Sequence, residues 1–128
     1  MRKLRGLLCM AWGIASLLPQ AASAGSAVTG VSAHARPAQY RGDCPAPLEF
    51  VGTVKLGRHP VVLEYVWERS NHTRSEVRRI QARSAKQILT DAWGVGGPPG
   101  KMQVWEKLTI LSPDMISSGQ ARVEVDCR

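Results

Sequence analysis

From Pro60 to Arg69 the chain alternates: Leu63, Tyr65 and Trp67 fall on one side of an extended backbone, Glu64, Val66 and Glu68 on the other. Successive side chains of a strand point to opposite faces, whereas the 3.6-residue turn of a helix would scatter both sets around its axis. The pattern recurs. Leu48, Phe50, Gly52, Val54 and Leu56 share a face opposite Glu49, Val51, Thr53 and Lys55. Ala121, Val123, Val125 and Cys127 alternate with Arg122, Glu124 and Asp126, which places Cys127 on an inner face. Val104 to Leu111 is a further apolar-rich strand ended by Ser112-Pro113, and turn residues gather at Gly57 to Pro60, Gly94 to Gly100 and Ser117 to Gly119. Alternating runs separated by turns predict an antiparallel all-β domain.

Two stretches fit this pattern less well. Between Ser75 and Trp93 the apolar residues Val77, Ile80, Ile88, Leu89 and Ala92 do not share strand parity. Paired strands, a strand with a β-bulge and an amphipathic helix all fit their spacing. Residues 25 to 37 are small and polar enough for a flexible lead-in, with Val28 and Val31 as the seed of a short first strand.

The amino terminus predicts export. Arg2, Lys3 and Arg5 precede an apolar stretch from Leu7 to Leu18, and Ala22-Ser23-Ala24 supplies small residues before Gly25. That is the layout of a secretory signal peptide, and an apolar run of this length covers only about 18 Å of a hydrocarbon core roughly 30 Å thick. Cleavage after Ala24 divides the chain into a signal, residues 1–24, and one domain, residues 25–128. The domain has 14 Lys and Arg against 10 Asp and Glu, so the formal charge of +7 falls to +4. Cys9 leaves with the signal, and the remaining Cys44 and Cys127 are expected to pair in an oxidising compartment. No second apolar run of spanning length follows, so a secreted or periplasmic chain without a transmembrane span is expected.

Val28-Thr29-Gly30-Val31, Gly42-Asp43-Cys44-Pro45, Phe50-Val51-Gly52-Thr53-Val54, the Leu63 to Ser70 run, Leu111-Ser112-Pro113 and Val123 to Cys127 occur in that order. Together they resemble small secreted bacterial immunoglobulin-like domains, over essentially all of Val28 to Cys127. The resemblance implies an immunoglobulin-like β-sandwich of about seven antiparallel strands, closed by one disulfide, with the tryptophan of the third main strand in its core. Two features depart from it. An antibody-type disulfide joins strands B and F, whereas Cys44 and Cys127 would tie an early segment to the last strand. Arg74 to Lys86 is also more basic than its equivalents.

No catalytic constellation is legible. His34, His59 and His72 accompany no Gly-x-Ser-x-Gly pattern and no metal-ligand spacing, so no catalytic residue, metal or cofactor is expected. The glycine-rich stretch before Lys101 is not a phosphate loop. Met102 stands where a magnesium-binding hydroxyl belongs, and Pro98 and Pro99 remove backbone donors. Asn71-His72-Thr73 matches a glycosylation acceptor and marks an exposed turn.

Two candidate binding features remain. Gly94, Gly96, Gly97, Pro98, Pro99 and Gly100 form a candidate recognition loop. Arg74, Arg78, Arg79, Arg83 and Lys86 form a candidate anion patch, although no aromatic lies between Trp67 and Trp93 to stack on bases, which disfavours nucleic acid. The expected function is a non-enzymatic interaction module meeting an envelope or host protein. The alternatives are an enzyme inhibitor wedged by the glycine-proline loop and a binder of anionic polysaccharide through residues 74–86.

Overall fold

The computed structural model describes residues 26–128; the expected signal segment, residues 1–24, and Cys9 lie outside them. Among the described residues there are nine strands and no helix. They are β1 (Val28–Arg36), β2 (Gln39–Gly42), β3 (Ala46–Leu56), β4 (Val61–Arg69), β5 (Arg78–Ala82), β6 (Lys86–Val95), β7 (Gly100–Ser112), β8 (Ile116–Ser117) and β9 (Ala121–Cys127). A small sheet has the order β1-β3-β6; a larger one has the order β2-β9-β7-β4-β5, with β8 paired to β7. The two face each other as an all-β sandwich, and Cys44 is bonded to Cys127 with Cα atoms 5.5 Å apart.

The alternation places the core. Leu63, Tyr65 and Trp67 of β4 are buried together with Leu48, Phe50, Val54 and Leu56 of β3, Leu108 and Ile110 of β7, and Val123 and Val125 of β9. Gly52 is on this inner face for a steric reason: a Cβ there would stand 2.5 Å from Leu108 Cδ2 and 3.1 Å from the Trp67 ring.

Three expectations need correction. There are nine strands rather than about seven, and they are not all antiparallel: β2 runs parallel to β9, pairing Gln39 with Glu124 and Gly42 with Cys127. Pro37 has no N–H to donate, and the chain bends there so that β1 stays in the small sheet while β2 crosses to the large one. Of the two readings of residues 25 to 37, the first strand holds over the described residues and not the flexible lead-in, and it is longer than expected, because β1 pairs along its length with β3, from Val28 opposite Leu56 to Arg36 opposite Glu49. Its inward residues Val31, Ala33 and Ala35 are too small to announce a strand.

Residues 75 to 93 form strands, but not a pair with each other. β5 joins β4 in the large sheet and β6 joins β3 in the small one, so Arg83–Ala85 crosses between sheets. The parity fails because Val77, at 60% exposure, precedes β5 and Ile88, at 45%, faces outward.

Candidate functional site

Charged side chains enter the sandwich at the flank where β4 and β5 meet β6. On β7, Val104, Glu106, Leu108 and Ile110 point inward in turn, which carries Glu106 to 0% exposure. Asp91 occupies the corresponding inward position of β6, between Leu89 and Trp93, and is buried as well. Two arginines meet it. Arg69 Nη2 donates to Asp91 Oδ2 at 3.0 Å, and Arg78 Nη2 to Asp91 Oδ1 at 2.8 Å. Arg78 Nε also donates to Glu76 Oε1 at 2.9 Å. Arg69 Nε stands 3.9 Å from Glu106 Oε2, too far for a hydrogen bond.

The two acids are driven apart in protonation. Burial, followed by the hydrogen bond with Asp91 and that group's charge, pushes the Glu106 carboxyl up to about 9. Burial also acts to raise Asp91, but hydrogen bonds from Glu106, Arg78 and Arg69 outweigh it and hold Asp91 below the usual carboxylate range. At neutral pH, then, Glu106 keeps its proton and Asp91 is the anion. The Glu106 oxygens receive no hydrogen bond from a neighbouring donor. Two carboxylates side by side cannot both ionise at low cost, and the one with two arginines takes the charge. Burial likewise raises the Tyr65 phenol against the pull of Arg78.

This cluster fixes an aromatic side chain at the surface. The Arg69 guanidinium lies 5.4 Å from the centre of the Trp93 ring, a cation–π distance, and Phe50 packs on Trp93 with ring centres 6.4 Å apart. β4 ends at Arg69, opposite Glu106, whereas β7 extends back to Gly100. The shortfall leaves an open notch of about 330 Å³. Ser70 and Asn71 form one rim, Trp93 to Gly96 the other, and Met102 to Val104 the floor. The 70–73 tip is a tight turn: His72 has φ 65°, and Thr73 N donates to Asn71 Oδ1 at 3.1 Å.

The candidate recognition loop divides on folding. Gly94 ends up inside β6 and Gly100 begins β7, so Gly96, Gly97, Pro98 and Pro99 make the exposed connection. Pro45, next to Cys44, lies against Gly94 and Gly96, and the Met102 methyl occupies the space a Gly97 side chain would need. Gly94 and Gly96 line the notch.

The candidate anion patch does not gather on one face. Arg78 is taken up by Asp91 and Glu76; Arg79 points outward opposite Glu64. Arg74 lies by the 70–73 tip, lining a shallow cleft with Trp105 and Lys107. Arg83 and Lys86 lie at the far end of the sandwich, where β5 gives way to β6. His34 is exposed on β1, His59 in the β3–β4 turn and His72 in the 70–73 tip. Asp91, Glu106 and Arg69 did not figure among the candidate residues, although each shares parity with inward-facing apolar neighbours.

Among the described residues no helix is long and apolar enough to cross a membrane, and no three His, Cys, Asp or Glu side chains converge as a metal site. No protein-family model matches the chain, and no curated protein matches it.

Proposed function

We propose that this chain is an exported, non-enzymatic immunoglobulin-like interaction module, which receives a segment of an envelope or host protein in the notch beside Trp93. The carrying observation is Trp93 itself: an aromatic wall of an open notch, held from behind by Arg69, Phe50 and the buried carboxylates. A large aromatic fixed before binding loses little side-chain entropy on association, and such residues anchor interfaces.

The strand order favours the immunoglobulin-like reading. Its first strand is divided between the sheets, its second main strand lies in the small sheet, and the buried Trp67 is on the third, β4, beside β7 in the large sheet, with β9 on the far side of β7. A disulfide spanning 83 positions of sequence suits an oxidising, extracytoplasmic compartment. The inhibitor reading has one observation of its own: Gly96 to Pro99 project between anchors at Pro45 and Met102, as a wedge with limited freedom would.

A photo-crosslinking residue at Asn71, on the notch rim, should trap a discrete partner in the native envelope. The same residue at Ser32, on the outer face of β1, should not. Equal adducts from both positions, or none from Asn71, would exclude the notch as the docking site.

A further inference from the structure

The opposite end of the sandwich carries a second feature. β3 finishes at Lys55 and Leu56, the Gly57–Pro60 turn leads into β4, and the Arg83–Ala85 connection closes beside it. Leu56 N donates to Ala85 O at 2.8 Å, and Val61 stands opposite Ala82. This framework brings together basic residues from two turns that are about 25 positions apart in sequence. Lys55 is the direct antiparallel partner of Lys86, while Arg58 and Arg83 occupy the adjoining turns.

The register makes this pairing unusual. Directly opposed residues hold their Cβ atoms about 5 Å apart, and like charges placed so destabilise a sheet. At other positions the strands set cations against acids: Arg36 opposite Glu49, Arg79 opposite Glu64, Lys107 opposite Glu68. Lys55, Arg58, Arg83 and Lys86 are all exposed, and among the described residues none has a carboxylate within ion-pair distance. Asp114 lies at the same end, but there its Oδ2 accepts the backbone N–H of Val28 at 3.0 Å.

We propose that Lys55, Arg58, Arg83 and Lys86 form a binding site for an anionic polysaccharide, whose closely spaced sulfate or phosphate esters lie between the two lysines and are flanked by the arginines. This site is independent of the notch and differs from the patch expected over residues 74–86, sharing only Arg83 and Lys86 with it. A solvated polyanion fits better than the other anionic macromolecules. The two turns offer no Trp, Tyr or Phe for base stacking and no bulky apolar residue to enter a bilayer. Four long side chains without ion-pair partners, of which Arg83 donates only to the neutral Gln81 Oε1 at 3.2 Å, can close around ester groups of either kind, and the attraction is screened by salt.

Binding of the purified protein to heparin, as the sulfated probe, and to phosphomannan, as the phosphorylated one, tests this. Desulfated heparin and phosphatidylglycerol vesicles serve as comparisons. Wild type is expected to bind at least one ester-bearing polymer in a salt-sensitive manner, and to leave desulfated heparin unbound. The Arg58→Glu/Lys86→Glu variant should bind at least about tenfold more weakly at low salt, whereas Arg79→Glu should stay within about twofold of wild type. Lys86→Glu alone places opposite charges across the β3–β6 ladder, so it should melt no lower than wild type while binding less. Four results would overturn the site: no binding to either ester-bearing polymer, unchanged binding by the double variant, an equal loss in Arg79→Glu, or retention on vesicles alone.

Discussion

Replacing Glu106 with glutamine should stabilise this protein at neutral pH and weaken it in mild acid. The folded chain holds a proton on Glu106 up to about pH 9, whereas in the unfolded chain the group releases it near its ordinary value of 4.5. Between those limits the folded state binds the extra proton, so stability falls as pH rises, and it levels off once the folded group ionises as well. At pH 7 the cost of retaining the proton is about 3 kcal/mol, from 2.5 pH units at roughly 1.4 kcal/mol each. Glutamine has the same shape and can donate to Asp91 without holding a proton against the solvent. Its second amide hydrogen lacks an acceptor, at a cost of about 1 kcal/mol. The net gain at pH 7 is about 2 kcal/mol, equivalent to a rise of roughly 1–2 M in the urea midpoint for a domain of this size. Near pH 4.5 the proton is free to wild type, and the variant should be weaker by about 1 kcal/mol. Asp91 stays ionised across this range because its carboxyl is held below the usual value. Urea titrations followed by tryptophan fluorescence from pH 4.5 to 9 should therefore give stability curves that cross at about pH 5. Parallel curves, or a variant weaker than wild type at pH 7, would show that Glu106 is not protonated in the fold.

Asp91→Asn removes the buried anion that Arg69 and Arg78 share, leaving Arg78 only the exposed Glu76, and should cost about 3–5 kcal/mol, read from the same titrations. Part of that loss should return above neutral pH, as Glu106 ionises more readily without Asp91 beside it. Gly52→Ala should lower stability by about 1–3 kcal/mol, since the new methyl meets Leu108 and Trp67 inside a filled core; thermal melting should show a drop of several degrees or more. Replacing Cys44 and Cys127 together by alanine should cost about 4–5 kcal/mol on the chain-entropy account of a loop this long. Intact protein should gain about 2 Da on reduction, one hydrogen on each sulfur, and an unchanged mass would contradict the bond.

The sandwich was legible where side chains were large. Leu63, Tyr65 and Trp67 announced β4, and the Ala121 to Cys127 alternation announced β9, because a bulky apolar residue at every second position leaves few alternatives. β1 was hidden by its alanines, which bury too little surface to mark a face. The stretch from Ser75 to Trp93 misled because its two strands serve different sheets, so no single parity runs through it.

The candidate sites were less legible still. Glu106 stood in the inward phase of Val104, Leu108 and Ile110, but residue type argued for solvent; it is tolerated inside because it stays protonated beside Asp91, whose charge the two arginines across the fold balance. The basic run from Arg74 to Lys86 suggested one patch because its members are neighbours in sequence. Strand alternation and the crossing at Arg83–Ala85 disperse them, and they bring Lys86 to Lys55, 31 positions away. Contacts made by register have no signature in a window of local sequence.

The bond between Cys44 and Cys127 also decides how this domain would carry a tensile load. Force applied at Ser26 and Arg128 passes along β1 and β2 to Cys44, crosses to Cys127 and leaves, bypassing the 82 residues between the cysteines. Only about 20 residues can then pay out, roughly 70 Å of slack, against about 350 Å for the reduced chain. Even that slack is guarded, because β2 lies parallel to β9 and pulling shears their ladder along its length instead of opening it bond by bond. Tugged at its two ends, the oxidised domain would lengthen little and keep most of its core, including Trp93 and the basic turns, in working shape.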